Sequence, residues 1–169
     1  DDTIEAVRWR GKTHFLKAIY EEDKDWLRNR APDRREFLLR AHDGSVLPVQ
    51  GYRGDVALMS FNPASVAHMA RLARHLPRGI TSSAYNPDDW APLPAKVCNR
   101  LRDIPDYDPT LSSFISHEAA DLGRDRVADL KSRGASILCW TIRSPEAEAA
   151  ARKFADNVTF EGYQAALPA

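Results

Sequence analysis

The stretch Ala135-Ser136-Ile137-Leu138-Cys139-Trp140-Thr141-Ile142-Arg143-Ser144-Pro145-Glu146 decides how this chain folds. Residues 137–142 are all apolar or β-branched, the pattern of a strand buried on both faces. Ser144 can accept from the free amides of a helix start, and Pro145 suits the first helical position, where no N–H is needed. Glu146 then meets the positive end of the helix dipole. The unit reads as strand, two-residue turn, helix. A tryptophan near the carboxyl end of such a strand looks into the mouth of a parallel sheet or barrel, where ligands bind. It equally suits the filling of a core.

Asp55-Val56-Ala57-Leu58-Met59-Ser60-Phe61-Asn62-Pro63-Ala64 repeats the grammar: an apolar run, Asn62 as cap, Pro63 opening a helix. Two such units favour a repeated βα architecture. Strands are expected near 56–61, 79–83, 113–118, 136–142 and 157–161. Helices are expected over Pro63–His75, from about Ala95, over Arg124–Arg133 with Gly134 closing it, and over Pro145–Phe154. The first of these buries Val66, Met69, Ala70 and Ala73 along one face. The tail Gln164–Ala169 reads as loose.

Residues 1–50 have no clean period. Glu21 to Arg30 reads as a helix with leading acids, and a second helix runs from Asp33 through Leu38 and Leu39. Val46, Leu47 and Val49 form a short edge strand around Pro48. This order fits an open doubly wound sheet and part of a barrel equally well.

The 169 residues suit one domain, and 24 basic against 24 acidic side chains give no bulk attraction to nucleic acid. No apolar run approaches the ~20 residues that span a bilayer. Cys98 and Cys139 have no metal-ligand spacing and call for no oxidising compartment, so a cytoplasmic site is expected. The opening Asp1-Asp2, without a methionine or signal-like segment, reads as a processed or excised chain.

No phosphate loop, Gly-x-Gly-x-x-Gly, Cys-x-x-Cys, His-Glu-x-x-His or Gly-x-Ser-x-Gly occurs. His117, at a strand end with Glu118, reads as a general acid/base or phosphate donor, or as a plain rim histidine. Glu161, ending the last strand, reads as a ligand contact or as a partner for a rim amide. His68 and His75 lie on a helix that covers the outside.

The ordered set Met59-Ser60-Phe61, Leu76-Pro77-Arg78-Gly79, Trp140-Thr141 and Phe160-Glu161-Gly162 resembles the C-terminal part of the glycerophosphodiester phosphodiesterases, including bacterial members ending in Phe-Glu-Gly. The resemblance covers residues about 51–163. It implies an α/β fold: a partial (β/α) TIM barrel holding strands four to eight, with an irregular, mostly helical N-terminal segment. Residues 1–50 would then be a degenerate or replaced start of the barrel, and residues 51–169 its C-terminal part.

The resemblance also implies metal-assisted cleavage of glycerophosphodiesters to glycerol 3-phosphate and an alcohol. The divalent cation, Ca²⁺ or Mg²⁺, would be held by the family's early motifs. Those motifs are not found: Trp9 precedes Arg10-Gly11 where the family has histidine, and Leu38 stands where Glu-x-Asp would need its aspartate. No catalytic or metal residue is therefore assigned. The expected substrate-binding residues are Trp140, Phe61, Ser60, His117 and Glu161. The alternative is a non-catalytic barrel remnant, an interaction or oligomerisation module whose open edge is covered by a partner or a second copy.

Overall fold

The computed structural model describes residues 57–165, together with the backbone of five short strands nearer the start. Those are β1 (Ala6–Trp9), β2 (Lys12–Phe15), β3 (Lys17–Ala18), β4 (Leu38–Arg40) and β5 (Val46–Pro48). The main series follows as β6 (Leu58–Ser60), α1 (Pro63–Leu72), β7 (Arg78–Ser82), α2 (Ala95–Leu101), β8 (Phe114–Glu118), a 3₁₀ turn (Ala119–Asp121), α3 (Asp125–Ser132), β9 (Ser136–Ile142), α4 (Pro145–Ala151) and β10 (Asn157–Phe160).

Strands β6 to β10 are parallel throughout and lie side by side in sequence order. Strand-helix alternation in one direction is the half-barrel expected from the sequence. Both expected helix starts form. Asn62 Oδ1 accepts from the Ala64 amide at 3.0 Å and Ser144 Oγ from the Ala147 amide at 3.2 Å, each with proline at the first helical position. Gly134 follows α3 with φ +94°, the left-handed exit that glycine allows without cost. Helix α1 ends at Leu72, earlier than expected, yet Val66, Met69, Ala70 and Ala73 are all buried.

The N-terminal region differs from expectation where it is described. Its described segments are strands, and Leu38 and Leu39, read as the end of a helix, lie in β4. Leucine accepts either state, and pairing with β3 and β5 decides for strand. The edge strand around Pro48 forms as β5; the helix expected over Glu21–Arg30 lies outside the described residues. Strand β1 runs antiparallel to β10, and β2 antiparallel to β1. Ala165, in the tail expected to be loose, is buried in the core, while residues 166–169 lie outside the described set.

Alternation along the parallel strands sorts side chains into two faces. Ile80, Ile115, Ile137, Cys139 and Val158 form one core with Val66 of α1, Val127 and Leu130 of α3, and Ala151 of α4. That face looks at the helices. Ser82, His117 and Cys139 are register partners on it. The opposite face carries Met59, Gly79, Phe114, Ser116, Glu118, Leu138 and Trp140, again as register partners. Arg78 anchors the way in to β7: its guanidinium donates to the carbonyls of Arg74 and Leu76 (2.8 Å each) and Leu111 (3.0 Å), satisfying acceptors beyond the end of α1.

On the helix face, His117 is fully buried. Its Nδ1 lies 2.9 Å from Ser82 Oγ and its Nε2 3.1 Å from Asp121 Oδ2, which in turn accepts from Arg124. Burial lowers the histidine pKa, and the Asp121 hydrogen bond only partly opposes it, with Arg124 depressing and Glu118 raising it further. The fold therefore binds neutral His117. The unfolded histidine takes up a proton below about pH 6.5, while the folded one resists. Stability should be full above that pH and decline as pH falls below it, down to the lowered folded value. Asp121, whose own pKa is lowered, adds its loss only in the carboxylate range. Urea midpoints should drop between pH 7.5 and 5.5, and His117→Gln should flatten that drop; an equal drop in the variant contradicts a neutral buried His117.

Gly79 explains its own place in the Leu-Pro-Arg-Gly motif. A Cβ there would lie 2.4 Å from the ring of Phe114 and 2.6 Å from the Phe114 carbonyl oxygen. Gly79→Ala should cost about 2 kcal/mol through overpacking and lower the melting temperature by about 4–8 °C. Adding Phe114→Leu should restore only part of it, because the carbonyl clash remains; calorimetry of the three variants checks this.

Candidate functional site

All five parallel strands end on one rim, and the residues there come from four of the loops and strand ends. Phe61 follows β6, Tyr85 and Trp90 lie in the loop after β7, Glu118 ends β8, and Trp140 sits near the end of β9. Four aromatic rings form a continuous band: Tyr85 and Trp90 have centroids 4.7 Å apart, Trp90 and Phe61 5.3 Å, and Phe61 and Trp140 5.4 Å with the planes nearly perpendicular. Tilted and edge-to-face arrangements at these distances are the favoured aromatic geometries. Phe61 remains 41 % exposed, Trp90 and Trp140 are half-buried, and Tyr85 is buried behind them.

Glu118 connects the two ends of this band. It is the register partner of Trp140, and its Oε2 accepts from the Ala84 amide, one residue before Tyr85, at 3.0 Å. Its Oε1 makes no hydrogen bond or ion pair among the described residues, and the side chain is half-buried. Trp140 is oriented by its indole N–H, which donates to the Ser116 carbonyl at 3.1 Å. The β7 exit loop is held by Arg102, which donates to the carbonyls of Ala84 (2.6 Å) and Tyr85 (3.2 Å), and by Ser83 Oγ, which accepts from the Tyr85 amide. Burial, with Asp106 adding to it, pushes the Tyr85 phenol up to about 12, so this ring is a neutral wall at any ordinary pH. Ser116 Oγ and Thr159 Oγ1 are buried hydroxyls without a hydrogen-bond partner among the described residues.

Of the residues named from the sequence, the structure brings together Trp140 and Phe61. Ser60 is elsewhere: it is the register partner of Ile80 on the helix face, and its Oγ accepts from the Asn62 amide at 3.0 Å, which shapes the turn. His117 also faces the helices, one residue out of phase with the rim carboxylate. Glu161 lies at the rim but is about half exposed and paired with Arg143 at 3.0 Å. The motif around it is structural: Gly162 turns with φ +75°, which lets Tyr163 fold back on Phe160 and donate to buried Glu148 at 3.0 Å. Glu118, Trp90 and Tyr85, which the structure also places at this rim, were not among the candidate residues named from the sequence. Glu118 shares a face with Ser116 by alternation, but its pairing with Trp140 depends on the β8–β9 register, which the sequence does not show. Trp90 and Tyr85 sit in a proline-broken loop that has no period.

A divalent cation needs several converging oxygen or nitrogen ligands. Among the described residues no group of three or more histidine, cysteine, aspartate or glutamate side chains could hold one. At the rim Glu118 supplies a carboxylate and the aromatic band supplies none, so these residues do not by themselves fit a metal.

Two solved structures are similar to part of the chain. One is a glycerophosphoryl diester phosphodiesterase of Silicibacter pomeroyi DSS-3, 19 % identical, with a TM-score of 0.44 over 62 % of this chain and 34 % of that one. Another is an Oleispira antarctica phosphodiesterase in complex with the product sn-glycerol-3-phosphate, 20 % identical, with a TM-score of 0.39 over 62 % of this chain and 36 % of that one. The chain thus spans about a third of the length of these structures. No curated protein matches it. The glycerophosphoryl diester phosphodiesterase family model matches residues 20–160, which include every strand from β4 to β10, and the chain belongs to that family.

Proposed function

We propose that this chain works as the headgroup-binding part of a phosphoric diester hydrolase acting on glycerophosphodiesters and releasing glycerol 3-phosphate and an alcohol. The observation that carries the reading is the Glu118–Trp140 register pair at the carboxyl rim of a chain from this family, since that rim is where a barrel of parallel strands binds its ligand. The fold alone would not support it, because barrels host many chemistries.

In this reading the chain's residues bind and orient. Trp140, locked by its bond to the Ser116 carbonyl, and Phe61 form the wall against which the substrate's alcohol portion packs. Phe61 and Trp90 narrow the mouth and reduce access of bulk water. The described residues hold no acid/base pair at the rim, so no proton-transfer step is assigned to them. A divalent cation of the kind the family resemblance implies would draw its ligands from outside the described residues. The free, buried Cys98 and Cys139 suit the reducing environment of the cytoplasm, where we place the reaction.

A second reading is favoured by one observation. Among the described residues, strand β6 lies at the edge of the seven-stranded sheet, and no described strand pairs with its outer side. A second copy or a partner pairing there would make the chain an interaction module. Light scattering across a concentration series separates the two, a monomer with a cooperative melt counting against an obligate partner.

The functional reading is tested by incubating the chain, and a version extended upstream, with glycerophosphocholine and glycerophosphoethanolamine plus Ca²⁺ or Mg²⁺, with and without chelator. Glycerol 3-phosphate should be released, and its absence from both proteins on every diester tried sinks the assignment. In whichever form turns over, Trp140→Ala should raise KM roughly tenfold while kcat changes less than about threefold, because contact without chemistry contributes equally to ground and transition states. A fall in kcat of equal size would give Trp140 a role in the chemical step.

A further inference from the structure

We propose that the cleft between α1 and the loop before β8, at the amino ends of the strands, binds the phosphate group of an ester that carries an apolar chain. The site lies at the opposite end of the sheet from the rim and does not rest on the reaction proposed there.

The cleft has a volume of about 430 Å³. Its helix wall carries Ala67, Ala70 and Arg71, one face of α1 by their spacing, with Arg74 just past the helix end. Its loop wall is Pro109 and Leu111. Small side chains at 67 and 70 leave the space between the walls open. Arg78 ties the walls together, donating to the Arg74 and Leu76 carbonyls at 2.8 Å and to the Leu111 carbonyl at 3.0 Å. The loop is braced further by Thr110 Oγ1, which donates to the Asp106 carbonyl at 2.7 Å. The cleft is therefore preformed, which lowers the cost of filling it.

The charge on the helix wall is uncommitted. Every other arginine among the described residues is bonded to a carboxylate or a backbone carbonyl. Arg71 and Arg74 are exposed and no described carboxylate pairs with either; Arg71 reaches the ring of His68, 2.9 Å from Nδ1. The negative end of α1 gives basic side chains a plain reason to gather there. The carbonyls left over beyond that end are already taken by Arg78, however. Asp108, the acid beside the loop wall, is paired with Arg133 at 2.6 Å. Two planar guanidinium groups three residues apart suit the several oxygens of one phosphate, and the same charge turns a cation away.

Leu111 supplies the apolar half. Its side chain is 68 % exposed, more than any other large apolar side chain among the described residues. Its φ of +54° lies in the left-handed region that such side chains seldom adopt. Hydrogen bonds hold it there: its amide donates to the Asp108 carbonyl at 3.0 Å, and its carbonyl accepts from Arg78. An apolar side chain is thus kept in water at the lip of a cationic cleft, where a chain attached to the bound phosphate would cover it.

Such a phosphate can belong to a soluble ester or to the headgroup of an anionic lipid, and the experiment separates them. Phenyl phosphate and inorganic phosphate are titrated into the full chain at constant ionic strength while the arginine Nε–H resonances are followed. Both should saturate, phenyl phosphate more tightly. The double variant Arg71→Gln, Arg74→Gln should weaken both by about tenfold or more. Leu111→Ser should remove only the advantage of phenyl phosphate. Arg143→Gln, which removes an exposed cation beyond the carboxyl end of β9, should change neither. The altered positions are exposed, and the melting temperature of each variant checks that the fold is kept.

Retention on phosphatidylglycerol over phosphatidylcholine vesicles, abolished by the double variant, assigns the lipid as the source. Phenyl phosphate binding without vesicle retention assigns a soluble ester. Three results overturn the proposal: no saturable binding of phosphate or vesicle, binding that survives the double variant, or an equal loss in Arg143→Gln. Equal affinity for the two phosphates without vesicle retention overturns it as well, since the apolar lip would then bind nothing.

Discussion

The parallel register between β8 and β9, which sets His117 beside Cys139 and Glu118 beside Trp140, is the constraint on which the rest of the molecule depends. Side chains along a strand alternate with a period of two, so one residue of slip would exchange the two rows. The helix-facing row is held by a dry core of isoleucines and valines from strands and helices together. Slipping it would put Ile115 and Ile137 on the other face and bring Glu118 under α3, with a desolvation cost no local hydrogen bond could offset. Burial thereby fixes the position of a rim carboxylate, Glu118, that is not itself part of the core.

That sorting also explains how two polar neighbours acquire opposite roles. His117 and Glu118 are adjacent in sequence and both ionisable. His117 points into the layer between sheet and helices, where Ser82 and Asp121 satisfy both ring nitrogens and burial keeps it neutral. Glu118 points to the rim, where one backbone amide orients it and an oxygen stays available. The buried histidine works as a joint between β7, β8 and the 3₁₀ turn. Its hydrogen bonds set the end of β8, and thus the height at which Glu118 meets the aromatic band.

The family's short motifs acquire physical meanings in the same frame. Glycine in Leu76-Pro77-Arg78-Gly79 is required by the approach of Phe114, and Arg78 collects the carbonyls left over beyond α1. Ser60-Phe61-Asn62-Pro63 divides its tasks: Ser60 shapes the turn, Asn62 and Pro63 start the helix, and Phe61 is left to face the rim. Phe160-Glu161-Gly162 is a turn that returns Tyr163 to the core. Serine and glutamate in these motifs resemble site residues by type, but backbone geometry and local pairing use them.

The sequence by itself determined the order of elements from residue 57 onward. It did so because caps, prolines and Gly134 act within a few residues of their own position, and apolar runs report burial directly. It also carried the family and the place of Trp140 on the rim. It could not say that Leu38 and Leu39 pair as a strand, that Ala165 is buried, or which of His117 and Glu118 faces the rim. Each of those depends on a partner distant in the chain: β3 and β5 for the leucines, the packed core for Ala165, and the β8–β9 register for the two ionisable residues. The aromatic band was the least legible of all. Its four rings come from three separate segments, and Trp90 reaches it from a loop whose course only tertiary packing sets.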